Sequence, residues 1–429
     1  MSRRGLRQAR VLQMIESTMA TGVEAGVIRV HAADEMLDGE AITVDGRRLL
    51  NFGSCSYLGL NTDPRLKQGA IEAVERFGPL FSSSTAYASV SLYADLKERL
   101  EQIFDAHIVL PPTTTLGHLA ALPVLINADD PVFVDVNAHA SVHLAADVLR
   151  GRGTTVVEVA HNDMDALEAA INQAETGGTC AIWYLADSIY SMYGDIAPVR
   201  AIADLMDRYP SLHVYFDDAH GFSWSGLHGR GFILDQIPFH PRMVIAVGMA
   251  KSFGSGGAAL AFADPDFASR VLLTGGPLTF SGPIHNAELG AAVASADIHL
   301  SSEHVELQTR LLAQIAFVDD LLRRSRLPVM DFGPTPIWFL RLGRHDQAVD
   351  MARRLMDDGF YVNPSAFPAV PRGFAGIRFT HTLHHSEDQI ESLVSAIARH
   401  LADVVEEPRV AIDLTKESMP NPPLILPIG

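Results

Sequence analysis

Four groups of reactive side chains stand directly after apolar runs in this sequence. His139 follows VFVDVNA, and Asp187 closes AIWYLAD. Asp217, Asp218 and His220 lie in HVYFDDAHG, and Lys251 follows VIAVGMA. An amine, carboxylates and imidazoles gathered on one sheet edge suit carbanion chemistry next to a carbonyl. Such chemistry needs an electron sink, a base that can lose its charge and a clamp that orients the reacting bond. A lysine beside a buried strand is costly unless paired, and desolvation lowers its pKa toward what a Schiff-base nucleophile requires. Taken singly, each residue is ordinary: Asp217 or Asp218 is a common cap or turn former, and His139 a common surface histidine. GSGGA (254–258) lacks the ending of a P-loop and the helix-opening context of a dinucleotide fingerprint. His139 and His143 are four residues apart and HTLHH (381–385) is histidine-dense, but neither has an adjacent glutamate or a third ligand, so no metal site is expected. The joint order on successive strands is what is specific.

These residues need elements that bring them together. VFVDV (132–136), TVVEV (155–159), AIWYLAD (181–187), HVYFD (213–217), MVIAV (243–247) and AALAFAD (258–264) are near-continuous apolar runs separated by helical stretches. That alternation predicts an α/β fold with a parallel sheet covered on both faces, whose ligands sit beyond the carboxyl ends of the strands. Residues 1–48 predict a helical arm and a strand pair turning at Asp45-Gly46. Asp63-Pro64 predicts a helix start with Asp as N-cap. After residue 300 the pattern changes to an α+β domain: helices at 303–325, 345–358 and 387–405, with strands at 337–342 and near 377–381. The expected division is an arm with short strands (1–60), a large domain (61–295), a small C-terminal domain (296–405) and a proline-rich tail (406–429) extended along a surface.

Composition narrows the function classes. The 429 residues carry a net charge of −18, which argues against nucleic acid or an anionic membrane as the main partner. A hydrophobic content of 48% with 20% charged residues is that of a globular chain. No apolar run is long enough to span a bilayer, the basic N-terminus lacks a secretory apolar stretch, and a cytoplasmic protein is expected. Cys55 and Cys180 are the only cysteines, too few for a disulfide framework.

The blocks NFGSCSYLGL (51–60), VNAHASVH (136–143), HNDMDALE (161–168), DSIYSMYGDIAPV (187–199), FDDAHGFSWSGLHGRG (216–231) and GMAKSFGSGGAALAF (248–262) resemble the α-oxoamine synthases. These are fold-type-I pyridoxal-phosphate enzymes, and the resemblance covers about residues 45–400. DSIYS and AHxS also look like the subgroup that makes amino-ketone signals from acyl thioesters. The resemblance implies a homodimer with pyridoxal 5'-phosphate (PLP) held as a Schiff base on Lys251, which also moves the substrate's α-proton. It implies that Asp217 pairs with the ring nitrogen, His220 with the 3-oxygen, and that His139 stacks on the ring, with Asp187 and Ser191 nearby. Arg378 would hold the substrate carboxylate, a task suited to a bidentate guanidinium.

Several positions depart from that family. Cys55 stands where an asparagine helps hold the amino acid, and Ser84 and Tyr93 replace an arginine and a histidine around the substrate pocket. Pro111-Pro112 replaces a Gly-aromatic pair that cradles the phosphate, and proline has no N–H to donate. Thr113 and Thr114 are expected to supply donors instead. Gly248 replaces a threonine, and Ser281 is expected to reach the partner's phosphate, with Ser252 a further candidate donor. The implied reaction is a decarboxylative Claisen condensation of an amino acid with an acyl thioester, carried by coenzyme A or an acyl-carrier protein, to give an α-aminoketone. Arg3, Arg4 and Arg7 are candidate basic residues for docking an acidic carrier. Rival readings are an aminotransferase or amino-acid decarboxylase on the same fold, and a non-catalytic partner subunit.

Overall fold

The computed structural model of the chain describes residues 3–178, 181–330 and 333–404. The expected tail at 406–429, Cys180 and the side chains of Arg3, Arg4 and Arg7 lie outside the described residues. In chain order, α1 (Arg3–Glu24) leads to strands β1 (Ala41–Val44) and β2 (Arg47–Asn51). Then come α2 (Pro64–Phe77), α3 (Leu92–Phe104), β3 (His107–Val109), α4 (Thr114–Leu125), β4 (Val132–Asp135) and α5 (Ala140–Gly151). They are followed by β5 (Val156–Val159), α6 (Met164–Thr176), β6 (Ile182–Asp187), α7 (Val199–Arg208) and β7 (Leu212–Asp217). Next are α8 (Phe232–Gln236), β8 (Met243–Gly248), β9 (Ala258–Phe262), α9 (Pro265–Thr274), α10 (Gly276–Phe280), α11 (Asn286–Leu300) and α12 (Glu303–Ser325). The chain continues through β10 (Ile337–Gly343), α13 (His345–Asp357), β11 (Phe360–Tyr361), β12 (Asn363–Ser365), β13 (Ala375–Thr380) and α14 (Glu387–Val404).

The chain divides into two compact units. The larger comprises Leu58–Tyr190 and Ile196–Thr309; the smaller comprises residues up to Tyr57, Ser191–Asp195 and the chain from Arg310 onward. The larger holds a seven-stranded sheet in the order β3-β9-β8-β7-β6-β4-β5. β5, β4, β6, β7 and β8 run parallel. Every residue of β4, β6, β8 and β9 is buried, which is why these runs carry no polar alternation. AALAFAD departs from the parallel expectation, because β9 runs antiparallel to β8. The connection 249–257 is too short for the crossover that a parallel neighbour needs. β3 pairs antiparallel with β9 and, at three residues, is too brief to leave a sequence signal.

Strand order reverses at β4, which lies between β5 and β6. A crevice therefore opens beyond the carboxyl ends of β4 and β6, the usual ligand position in such sheets. The helix start predicted at Asp63 is present: its carboxylate accepts from Arg65 N at 2.8 Å, ahead of Pro64.

The smaller unit carries two three-stranded sheets, β1-β2-β11 and β10-β13-β12. The first hairpin turns at Asp45 and Gly46, both at positive φ (49° and 74°), as a tight two-residue turn requires. β10, α13, β13 and α14 form where the apolar periodicity places them, while β11 and β12 are short pairings that sequence pattern alone does not mark.

Candidate active site

Each reactive group of the larger unit takes its place from a strand end. β6 and β7 pair with Asp187 opposite Asp217, so two carboxyls sit side by side at the sheet edge. β4 leads into α5 through His139, whose backbone N–H donates to Asp187 Oδ1 at 3.0 Å. β8 ends at Gly248 and delivers Lys251 three residues later. With His220, these residues line a cavity of about 170 Å³ that also takes in Thr113, Thr114 and Thr115 at the start of α4. For scale, a cavity of about 150 Å³ admits one benzene ring.

Neighbouring carboxyls cannot both ionise cheaply, and this pair is resolved by what surrounds it. Burial raises the pKa of Asp187 well above the usual carboxylate range, and the charge of Asp217 raises it further. Burial would also raise Asp217. There, the hydrogen bond and positive potential of His118, with Lys251 and His139, prevail and hold the carboxyl well below its usual range. His118 Nε2 lies 3.1 Å from Asp217 Oδ2, and its Nδ1 lies 2.7 Å from the Tyr215 hydroxyl. Asp217 Oδ1 accepts from Ala219 N at 3.0 Å. The result is one anchored, ionised carboxylate facing the cavity.

His139 is exposed and lines the cavity. Desolvation lowers its pKa and outweighs the pull of Asp217, with Lys251 and His118 acting in the same direction as desolvation. Its Nδ1 lies 2.7 Å from Ser141 Oγ, which fixes the ring.

The second acid of DDAHG has a different task. Asp218 is fully buried, accepts from Ser188 Oγ and from Ile233 N at 3.1 Å, and burial pushes its pKa up to about 7. A side chain at Gly221 or Gly231 would collide with its carboxyl oxygens, so DDAHG and the following GLHGRG segment form one packed unit.

The remaining candidates fall elsewhere. Ser84 Oγ donates to Thr279 O at 2.6 Å, and Tyr93 accepts from Ile284 N at 2.7 Å, so both hold the 278–284 segment. Ser281 Oγ donates to Pro277 O at 2.6 Å, and Ser252 Oγ accepts from Leu58 N at 3.3 Å; neither serine lines the cavity. In the smaller unit, buried Arg378 donates from Nε to Ser191 O at 2.6 Å and places Nη2 3.6 Å from Cys55 Sγ. Burial would lower the Arg378 pKa, but Cys55 and Tyr57 outweigh it and keep the guanidinium charged.

His118, its partner Tyr215 and the arginine's neighbour Tyr57 are absent from the sequence-level candidates. The one available signal for His118 is a histidine one helical turn after Thr114 in an otherwise apolar helix.

An ionised acid, an amine and a helix N-terminus bearing threonine hydroxyls around a ring-sized cavity are the partners that a pyridine nitrogen, an aldehyde and a phosphate ester require. Fold and site together define a fold-type-I PLP-dependent enzyme. The chain matches aminotransferase class I and II over residues 47–397 and belongs to that family. It is 32% identical over 366 residues to an 8-amino-7-oxononanoate synthase from Geobacter sulfurreducens, covering 84% of this chain and 91% of the relative. Another 8-amino-7-oxononanoate synthase, from Dechloromonas aromatica, is 31% identical over 389 residues, covering 89% and 98% respectively. Among solved structures, a serine palmitoyltransferase from S. paucimobilis superposes with a TM-score of 0.83 over 93% of this chain and 98% of that one. At 20% identity, that likeness shows the shared fold.

Proposed function

We propose that this enzyme condenses an amino acid with an acyl thioester and releases carbon dioxide, giving an α-aminoketone. The observation that carries the reading is the single cavity in which Lys251, ionised Asp217 and neutral His139 meet at the strand ends. The synthase relatives at about 30% identity support the reaction class. PLP, when bound, supplies an electron sink for carbanion chemistry at the substrate α-carbon.

The chain's own residues do the rest. Asp217 would hold a proton on the ring nitrogen, with His118 keeping that carboxylate charged and oriented. Lys251 Nζ would hold the cofactor as an imine and would be the base for the substrate α-proton. His139 would offer a flat face to the ring, and Asp187 would hold it in place by accepting from its backbone N–H. Arg378 is the candidate partner for the substrate carboxylate, with Cys55 and Ser191 beside it. In the net reaction the α-carbon bonds to the thioester carbonyl carbon, the thiol leaves with a proton, and the carboxylate departs as carbon dioxide. The acyl carrier in this reading is coenzyme A or an acyl-carrier protein, and the enzyme works in the cytoplasm.

A homodimer is part of the same proposal. Tyr87 and Phe280 are 99% and 89% exposed, and Ser84 and Thr85 tie their two segments together through bonds to Thr279 and Leu278. An exposed aromatic surface of that kind fits burial against a second copy, which would bring Ser281 toward the partner.

The test is incubation with amino acid, with and without thioester. Thiol and carbon dioxide released in equal amounts only when both substrates are present support the synthase. Keto acid and pyridoxamine phosphate formed from amino acid alone would instead establish an aminotransferase.

A further inference from the structure

Three threonines open α4, and their hydroxyls are not equivalent. Thr113 Oγ1 is the N-cap and accepts from Leu116 N at 3.2 Å. Among the described residues, the Thr114 hydroxyl has no protein partner although it lines the cavity beside Lys251. Across from it lies Gly248, the last residue of β8. A Cβ at Gly248 would sit 2.8 Å from Thr114 Oγ1, closer than such atoms approach. Gly248 does not have a positive φ, so the backbone itself does not demand glycine there. The close contact is with the Thr114 hydroxyl, which a methyl group at 248 would push aside. Pro111 is committed to other work: its carbonyl accepts from Ala258 N at 3.1 Å, and its ring packs over Gly117.

We infer that Thr114 and Gly248 form an exchanged pair in which the phosphate-binding hydroxyl comes from the start of α4, and that position 248 is glycine to leave room for it. The inference rests on the PLP reading above and names the residues that select the phosphorylated cofactor. The hydroxyl stands at the positive end of α4, where unpaired backbone N–H groups and the helix dipole favour an anion. Strand β8 contributes space, and helix α4 contributes the donor.

The experiment titrates apo-protein with PLP and, separately, with unphosphorylated pyridoxal, following absorbance. Wild-type protein must first show the long-wavelength band with PLP; its absence would overturn the PLP reading itself. Given that band, Thr114→Ala is expected to weaken PLP at least tenfold and to leave pyridoxal within twofold. Gly248→Ala should weaken PLP similarly, because its methyl group displaces the Thr114 hydroxyl. Thr114→Ala/Gly248→Ala should be no weaker than Thr114→Ala alone, and Thr114→Ala/Gly248→Thr should recover most of the affinity by returning a hydroxyl from the strand side. Additive losses in the alanine pair, or equal weakening of PLP and pyridoxal by Thr114→Ala, would overturn the inference while leaving the PLP reading in place. The two alanine single variants decide the matter even where the threonine variant fails to fold.

Discussion

Replacing Asp217 with asparagine removes the charge of the anchored carboxylate while keeping its shape. The amide oxygen of the replacement can still accept from Ala219 N, as Asp217 does at 3.0 Å, so the end of β7 keeps its turn. What is lost is a charge-assisted hydrogen bond to a protonated ring nitrogen, worth about 1.5–3 kcal/mol, or roughly 10- to 150-fold in PLP affinity. Catalysis should suffer more than binding, because an unprotonated ring is a poorer electron sink when the α-proton leaves. The affinity assay is absorbance titration of apo-protein, and the catalytic assay is deuterium exchange at the amino acid α-carbon, followed by NMR at saturating PLP. Exchange in the Asp217→Asn variant is expected to fall by at least about 100-fold, beyond the loss in affinity. Wild-type affinity and wild-type exchange in a folded Asp217→Asn protein would refute the assignment of Asp217 as the acid that keeps the ring cationic.

Arg378→Lys should raise KM for the amino acid by about 10- to 100-fold, because a point charge cannot replace a bidentate fork, while PLP affinity stays within twofold. Equal effects on PLP and amino acid would show that Arg378 acts through the fold. Burial holds His381 and His299 near a pKa of about 3 and His385 near about 4. Since these values lie below the unfolded value of about 6.5, the histidines' contribution to stability is complete above that pH and is lost progressively as pH falls toward 3–4, by about 2 kcal/mol each at pH 5. His381→Phe should therefore flatten the dependence of Tm on pH between 6.5 and 5, and an unchanged slope would count against it. Phe280→Asp should shift the protein toward monomer in sedimentation, and a variant still fully dimeric would remove that surface from the interface.

Much of this architecture is legible in the residues, for identifiable reasons. β6 and β8 are buried at every position, so their sequences are unbroken apolar runs, and Asp187 and Lys251 stand out at or just past their ends. Asp217 and Asp218 are adjacent and indistinguishable by type. Only the strand's alternation, which turns one carboxyl toward His118 and the other toward Ser188 and Ile233, gives them different tasks. His118 escapes notice because mid-helix, between Gly117 and Leu119, it resembles a core histidine; Asp217 gives it meaning across 99 residues of chain. The antiparallel turn of β9 is likewise invisible in an apolar run, since composition does not carry direction. Ser84 and Tyr93 draw attention as departures from the family, yet the structure engages them with the 278–284 segment through contacts separated by nearly 200 residues.

The most direct test of the account is to trap the cofactor on the protein. Holo-protein is reduced with borohydride and digested, and the pyridoxyl-phosphate mass is located by peptide sequencing. The account predicts the label on the Nζ of Lys251. A label on Lys67, Lys97 or Lys416, the other lysines of the chain, or no label on a protein that shows the PLP band, would contradict it.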